Sequence, residues 1–521
     1  MLNQPREAVQ EMPPPTVSRG KRSYGEILKS SALIGGASLL NLVLGLIRTK
    51  AVALILGPAG VGLLGLYGSV SELMRSVAGL GINTSGVRQI AEAVGSGDTG
   101  RVARTVTTLR RVAFCSGALG AVFLLIFSRP ISWLTFGDYR HTGWVALLAL
   151  AVFFGDISQG QAALVQGMRR IADLARMNVL GAFYGTLFSI PIIYFYREQG
   201  VVPSLVCVAA MGILTSWWYA RKVKVVQVSM TMRLVLGEVG ALLKLGLVFM
   251  ASGLMGMGSA YLVRIIVLHK IDLEAAGFFQ SAWNLGGYYI AFILQAMGAD
   301  FYPRLTAVAN NNTECNQLVN EQAQVGLLLA GPGVLATLTF AALVINVLYS
   351  AEFGPAVEIL RWICLGMMVR AISWPLGFVL VAKAKRRLFF WSELVSNLLF
   401  VGLVWMCVPT FGLKGAGIAS FVVSVLNCLG IYIIVRHLSG FRWSVANLRL
   451  ALFFVPLVAA VFVGWYLLPR TAAVIFGAVV TGGTGIYSIK TICGLVSLDR
   501  FPRSVRRLLE VLKLVPPPAK S

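Results

Sequence analysis

Apolar runs long enough to cross a bilayer follow one another along almost the whole chain, separated by short connections rich in Arg and Lys. A helical span needs about 20 apolar residues. Fourteen runs qualify, at 31–56, 58–81, 107–127, 143–166, 175–196, 200–220, 244–268, 275–299, 322–349, 357–381, 388–409, 413–435, 449–468 and 472–492. Each should be an α-helix, because a lipid-exposed backbone must satisfy its own hydrogen bonds. The first run follows Lys21, Arg22 and Lys29 as a secretory leader would, but it is too long for one and has no small-residue cleavage site.

Polar and small residues recur within these runs at steps of three and four, which places them on one helix face. The first run carries Ser38, Asn41, Gly45 and Arg48, and the second Gly65, Gly68, Glu72, Arg75 and Gly79. The fourth shows Asp156, Gln159 and Gly160; the seventh Gly256 and Ser259, with Arg264 one step off the stripe. The eighth shows Gln280, Asn284, Gly287 and Tyr288, and the tenth Gly366, Arg370, Ser373 and Gly377.

The two halves of the chain match at an offset near 215: Gly62 with Gly277, Asp98, a helix N-cap candidate, with Thr313, and Arg221 with Arg436. Arg88 pairs with Arg304 at 216, and Arg169–Arg170 with Arg386–Arg387 at 217. The repeated unit holds six spans, an even number, so both copies enter the membrane from the same side. The expected fold is an all-α polytopic membrane protein of about fourteen helices, with two six-helix lobes meeting at a seam and two further helices. The expected divisions are a tail at 1–29, lobes at 30–222 and 223–437, two added helices at 438–493 and a basic tail at 494–521. A parallel repeat with a polar seam is the architecture of an alternating-access carrier.

Composition narrows the class. Hydrophobic residues make up 57% of the 521, charged residues 13%, and mean hydropathy is +0.78. Those values exclude a soluble enzyme or a nucleic-acid-binding domain. The net charge of +24 is the mark of Arg and Lys gathered on cytoplasmic loops. With both termini in the cytoplasm, inner segments hold 33 of the 45 Lys and Arg and outer loops hold 7. Residues 499–513 are basic and fit either a surface helix on anionic lipid or a solvated tail. Seven scattered cysteines and three distant histidines give no metal or disulfide pattern.

Five cations lie inside spans, Arg48, Lys50, Arg75, Arg264 and Arg370, against Glu72 and Asp156 as the clearly intramembrane acids. A charge at mid-membrane costs roughly 2.5–3.5 kcal/mol on insertion scales, so it normally faces a cavity or a partner; Lys50 and Arg264 also have the option of snorkelling. The positive surplus favours an anionic substrate, and Arg48 and Arg264, on equivalent helices, suit a clamp on pyrophosphate. Glu72, one turn from Arg75, fits an ion pair, while Asp156 fits either a coupling proton site or a packing and gating role. Asn41, Gln159, Gln280, Trp283, Asn284 and Tyr288 are the candidate glycan contacts. The run LGPAGVG at 56–62 lacks the Lys-Ser/Thr of a phosphate loop, and no nucleophile elbow, zinc motif or catalytic pair is present. No enzyme activity is expected.

LNLVLGLIRTKAVALILGPAGVGLLGLYGSVSEL at 40–73 resembles the opening of Wzx-type polysaccharide flippases. GLKGAGIAS at 412–420 is similar to the family's start of span twelve, and QGMRRIADL (166–174) and KAKRRLFFW (383–391) to its basic cytoplasmic connections. The resemblance covers about 25–440 and places the chain beside multidrug extruders and lipid II flippases in the multidrug/oligosaccharidyl-lipid/polysaccharide exporter superfamily. It implies export of undecaprenyl-pyrophosphate-linked oligosaccharide, such as an O-antigen unit, across the bacterial inner membrane. It also implies that the two six-helix lobes form a V around a basic central cavity, to which Arg48, Arg75, Arg264 and Arg370 correspond by span and side, and partners such as a polymerase or glycosyltransferase. No cofactor is expected beyond coupling to H+ or Na+. The rival readings are a lipid II flippase, a drug extruder, which would want surplus acid in its cavity, and a membrane glycosyltransferase, which would need an outer domain or catalytic carboxylates.

Overall fold

A computed structural model describes residues 18–96, 98–223 and 232–495, with no strand among them. The first lobe comprises α1 (Ser18–Gly79), α2 (Ile82–Gly95), α3 (Thr99–Ile126), α4 (Ser128–Phe136), α5 (Thr142–Gly167), α6 (Ile171–Tyr196) and α7 (Val201–Ala220). The second comprises α8 (Met232–Lys270), α9 (Leu273–Ala307), α10 (Asn312–Thr339), α11 (Ala341–Leu348), α12 (Ala356–Ala382), α13 (Arg386–Phe411) and α14 (Lys414–Ser439). Helices α15 (Val445–Leu467) and α16 (Arg470–Leu495) follow. The basic stretch 499–513 and residues 1–17 lie outside the described residues.

Ten stretches among the described residues are long and apolar enough to cross a membrane. Two of them hold two crossings each: one breaks at Gly57, and the other at the 3-10 turn Arg197–Gly200. With the long helices α8 and α9 the crossings number fourteen. Side chains such as Leu119, Phe195, Leu452 and Leu467 are 71–77% exposed, an arrangement suited to lipid and not to water. Helices α2, α4 and α11 were not separate elements in the hydropathy pattern; they are too short to span.

Gly57 turns the first crossing into the second. It adopts φ 65°, ψ −162°, a conformation open to glycine, and Pro58 then starts the next helical limb with its preset φ. The Gly57 turn, α4 and α11 mark one face of the protein, the Gly57 face; the turns at Arg169 and Ala384 mark the other, the Arg169 face.

The repeat is visible in backbone detail. Arg169 (φ 55°) and Ala384 (φ 53°) make the same turn 215 residues apart. Arg170 N donates to Val165 O (3.1 Å), and Lys385 N to Leu380 O (2.9 Å). Arg169–Arg170 therefore corresponds to Ala384–Lys385, two residues earlier than sequence matching suggests. The α3 cap is Asp98, whose side chain accepts from Arg101 N at 2.8 Å, as expected. Its counterpart at α10 is Asn311, accepting from Thr313 N at 3.1 Å, and not Thr313 itself. Asn and Asp are the residue types that bond orphan N–H groups at a helix start.

The added helices lie against α10 and α12. Gly331 leaves room for the Phe454 ring, Gly477 for Thr339, and the Arg361 guanidinium lies 3.9 Å from the Trp465 ring centroid. Asn320 of α10 ties down the connection from α14 to α15. It accepts from Ser444 N (2.8 Å) and Asn447 Nδ2 (2.9 Å) and donates to Arg442 O (3.1 Å). Asn320→Ala removes all three bonds, each worth about 1 kcal/mol. The variant should unfold in detergent with about 3 kcal/mol less stability; an unchanged unfolding midpoint would show that the connection is held by other contacts.

Candidate functional site

The lobes meet where equivalent residues touch. A Cβ built on Gly277 would lie 1.9 Å from Pro58 O, and one on Gly62 would lie 2.5 Å from Leu273 O. Pro58 and Leu273 are themselves 215 residues apart, so the contact is self-symmetric, like an isologous dimer interface. The pseudo-two-fold axis of the repeat passes through it. One turn farther, Gly65 and Gln280 are again equivalents in contact: a Cβ on Gly65 would sit 2.7 Å from Gln280 Oε1. The first copy supplies a glycine so that the second can place an amide on the axis.

Gln280 anchors a polar chain across this seam. Arg264 Nε of α8 donates to Gln280 Oε1 of α9, and Gln280 Nε2 donates to Asn284 Oδ1 at 3.0 Å. Glu72 of α1 acts electrostatically on Arg264 from the other lobe. Arg48 lies one turn before Val52, which is buried in a core cluster with Val263 and Val267 of α8. In the structural register Arg264 corresponds to Thr49 and not to Arg48. The two arginines are thus one residue, about 100° of helix, out of symmetry, and a strictly symmetric clamp is not formed. Asn41 stands two turns before Arg48, with Oδ1 buried and without a hydrogen-bond partner among the described residues.

Arg75 does not face Glu72. It lies across Gly155 of α5, where a Cβ would meet its Cδ at 2.6 Å, and it is the cation acting on Asp156. Asp156 is 1% exposed, and neither carboxylate oxygen has a hydrogen-bond partner among the described residues. Gly79 and Gly117 press close to it: a Cβ on Gly79 would be 3.5 Å from Asp156 Oδ1. One turn along α5, Gln159 Oε1 accepts from Asn83 Nδ2 at 2.7 Å. The i,i+3 spacing of Glu72 and Arg75 suggested a pair, but the glycine at 155 opens a better seat for the guanidinium.

Arg370 occupies a third place. It lines a polar cavity of ≈ 270 Å³ inside the second lobe, with Glu393, Asn397 and Asn427. Glu393 faces Arg370 electrostatically. Trp283 closes one side and stacks on Phe400 (centroids 5.5 Å, planes 19° apart). Position 370 is the equivalent of Gly155, so each lobe holds an arginine–carboxylate pair at the same level, with the arginine from different helices. Lys50 is drawn to the Gly57 face, where its ammonium donates to Val347 O of α11. Tyr288 falls on α9 where the side chains are outside the described residues.

The structure thus divides the predicted site into three: Arg264, Gln280, Asn284 and Glu72 at the seam; Arg75, Asp156 and Gln159 in the first lobe; Arg370 and Trp283 in the second. Sequence reasoning missed Asn83, Glu393 and Asn397. The four-residue step from Glu393 to Asn397 was the available signal for the last two. It also missed Arg197, which takes φ 52° at the position equivalent to Gly412 (φ 65°) and donates to Ile55 O at 3.1 Å. Further contacts join elements at the Gly57 face. Thr135 Oγ1 and Tyr261 OH are 2.6 Å apart, and Tyr67 OH and His141 Nδ1 2.7 Å. Burial holds the His141 imidazole below its ordinary pKa.

Comparison with known proteins follows this geometry. Residues 51–358 match the family described as polysaccharide biosynthesis protein. The chain is similar to the lipid III flippase of Escherichia coli (strain K12), at 22% identity over 79% of this chain and 99% of the relative. Among solved structures, it resembles the lipid II flippase MurJ in an inward closed conformation, with TM-score 0.65 and 12% identity, covering 88% of this chain and 99% of that one. It also resembles an inward-facing multidrug resistance MATE family transporter of the MOP superfamily, with TM-score 0.64 and 18% identity, covering 76% and 95%. The fold is that of these transporters.

Proposed function

The chain belongs to the polysaccharide biosynthesis protein family, and on that premise we propose that it is a flippase for a polyprenyl-pyrophosphate-linked oligosaccharide in the bacterial inner membrane. The observation that carries the reading is the seam itself. Arg264, oriented by Gln280, stands where the two lobes meet on their symmetry axis. A rocking motion about that axis exposes the same guanidinium to either side in turn. Arginine is suited to phosphate oxygens by its planar fork of donors. Gln280 and Asn284 offer amide groups to a sugar beside it, and Arg48 adds charge from the first lobe. The Arg169 face, with most of the Arg and Lys, is the cytoplasmic one in this reading, and both termini lie there. The lobes are then 30–222 and 223–437, with 438–493 added. Lipid II export is the nearest alternative, and drug export is disfavoured by the cations at the seam.

Asp156 is the coupling candidate. A carboxylate buried without a hydrogen-bond partner and facing one arginine has reason to exchange a proton or a monovalent cation as its surroundings open. Asp156→Asn keeps the shape and removes the exchange. The variant should fold and still bind substrate, while transport driven by an ion gradient is lost. Full gradient-driven transport by the variant would assign Asp156 to packing alone.

The reading is tested in proteoliposomes with a fluorescent polyprenyl-pyrophosphate oligosaccharide, scoring its arrival at the opposite leaflet. Transport of that lipid, with a cationic dye left untouched, is expected. Dye movement without lipid movement would replace the reading with drug export.

A further inference from the structure

A further cavity lies outside the three polar sites. It is a groove of ≈ 630 Å³ between the second limb of α1 and α3, closed on its far side by Val239 of α8. Along α3 it runs from Arg111 to Phe123, twelve residues or about 18 Å of helix. Between these ends Cys115 and Leu119 line it, and apart from Arg111 and the buried Ser116 the lining is apolar. Leu119 is 71% exposed and Phe123 44%, so the groove opens sideways toward lipid.

We propose that this groove seats the polyprenyl chain of an anionic lipid-linked substrate, taken from the leaflet at the Arg169 face; the proposal rests on the flippase reading above. Three observations favour a prenyl chain with a charged end. Arg111 stands exposed at the end of the groove nearest the Arg169 face, which is where the head of a lipid in that leaflet lies. The groove also adjoins the seam. Met74, Val77 and Ala78 line it from α1, while Glu72 and Arg75 leave the same limb in other directions, so one helix separates the groove from the seam. Val239 brings in the second lobe, and the groove therefore sits at a lateral junction between the lobes.

The floor of the groove is a break in the helix. Leu80 has φ 47° and Gly81 φ 64°, two successive left-handed residues between α1 and α2. Leucine is disfavoured in that conformation because its Cβ crowds the following carbonyl, and Leu80 is itself part of the lining. The strain thus places a branched apolar side chain under the bound tail.

Cys115 provides the assay, because it is the exposed cysteine among the seven. Maleimide labelling of the full chain in nanodiscs should slow about tenfold when a C55 polyprenyl phosphate is present at ten times its Kd. Dimethylallyl phosphate, with the same head and one isoprene, should not protect, nor should phosphatidylglycerol. Uncharged C55 polyprenol should protect more weakly, and Arg111→Gln should remove that difference. Equal protection by phosphatidylglycerol would make the groove an ordinary lipid seat, and no protection by the C55 lipid would also overturn the proposal. Cys115→Trp fills the groove. It should abolish transport of the C55-linked oligosaccharide while leaving calorimetric binding of a soluble dimethylallyl-pyrophosphate sugar intact. Wild-type rates in Cys115→Trp overturn the tail groove and leave the flippase reading standing. If wild type neither binds the soluble head nor transports the lipid, it is the flippase reading that fails.

Discussion

Gly277→Val will force the lobes apart at the Gly57 face. A Cβ at this position lies 1.9 Å from Pro58 O, a backbone atom in a helix that cannot move aside alone. Gly62 offers no relief, because its own Cβ would meet Leu273 O at 2.5 Å. Overpacking typically costs 1–3 kcal/mol, and a clash between two helix backbones belongs at the upper end. A penalty of about 3 kcal/mol on the closed state alone changes the balance of conformations by more than a hundredfold. The expected result is a protein that folds but rests open at the Gly57 face. A cysteine placed at Gln280, in a chain with Cys115 replaced by serine, should then react with an impermeant maleimide from that side. Transport should fall at least as far as the closed state is depopulated. Gly402→Val is the control, since nothing lies within 4 Å of a Cβ there. Unaltered labelling and transport in Gly277→Val would mean that the glycine crossing is not what closes this face.

Arg264→Ala should be the most damaging change at the seam. The substitution leaves Gln280 Oε1 without its donor and Glu72 without the cation acting on it. A hydrogen bond to a charged group is worth about 1.5–3 kcal/mol, and Arg264 offers its remaining donors to the pyrophosphate. Binding of polyprenyl pyrophosphate to purified protein should weaken by a hundredfold or more, with transport falling in parallel. Arg264→Lys keeps the charge and loses the planar fork and the Nε bond, so it should recover a minor part of the binding. Glu72→Gln in the same background separates two roles. If Arg264 serves chiefly to balance Glu72, the double variant regains stability but not binding. Binding that survives Arg264→Ala would remove this arginine from the substrate site and leave Arg48 as the seam cation to test.

Much of the architecture was legible without coordinates. Hydropathy alone located the crossings, because lipid demands long apolar helices whatever they pack against. Matching the halves yielded the six-span repeat, and turn chemistry identified Asp98 as a cap. The errors were small in register and large in consequence. Thr313 stood in for Asn311, and Arg386–Arg387 for Ala384–Lys385, because similar residues two positions apart match equally well in one sequence. The one-residue slip between Arg48 and Arg264 shows along the chain only as an offset of 216 against 215, yet on a helix it turns the two side chains about 100° apart.

Partner choice was beyond sequence for a different reason. Glu72 and Arg75 sit at pairing distance on one helix, but Gly155 of α5 offers the guanidinium a seat that local spacing cannot report. Lys50 has the composition of a cavity cation and instead reaches Val347 O, 297 residues away. Arg370 seemed one of a shared set of cations and lies with Glu393 in a cavity of its own lobe. The sequence by itself determined that this is a helical membrane protein of two six-span repeats with more positive than negative charge inside its spans. Those properties follow from solvent and periodicity, which act residue by residue. Only the tertiary structure decided which charges meet, where the symmetry axis passes and which glycines lie on it. Those outcomes depend on side-chain directions and helix contacts between residues far apart in the chain.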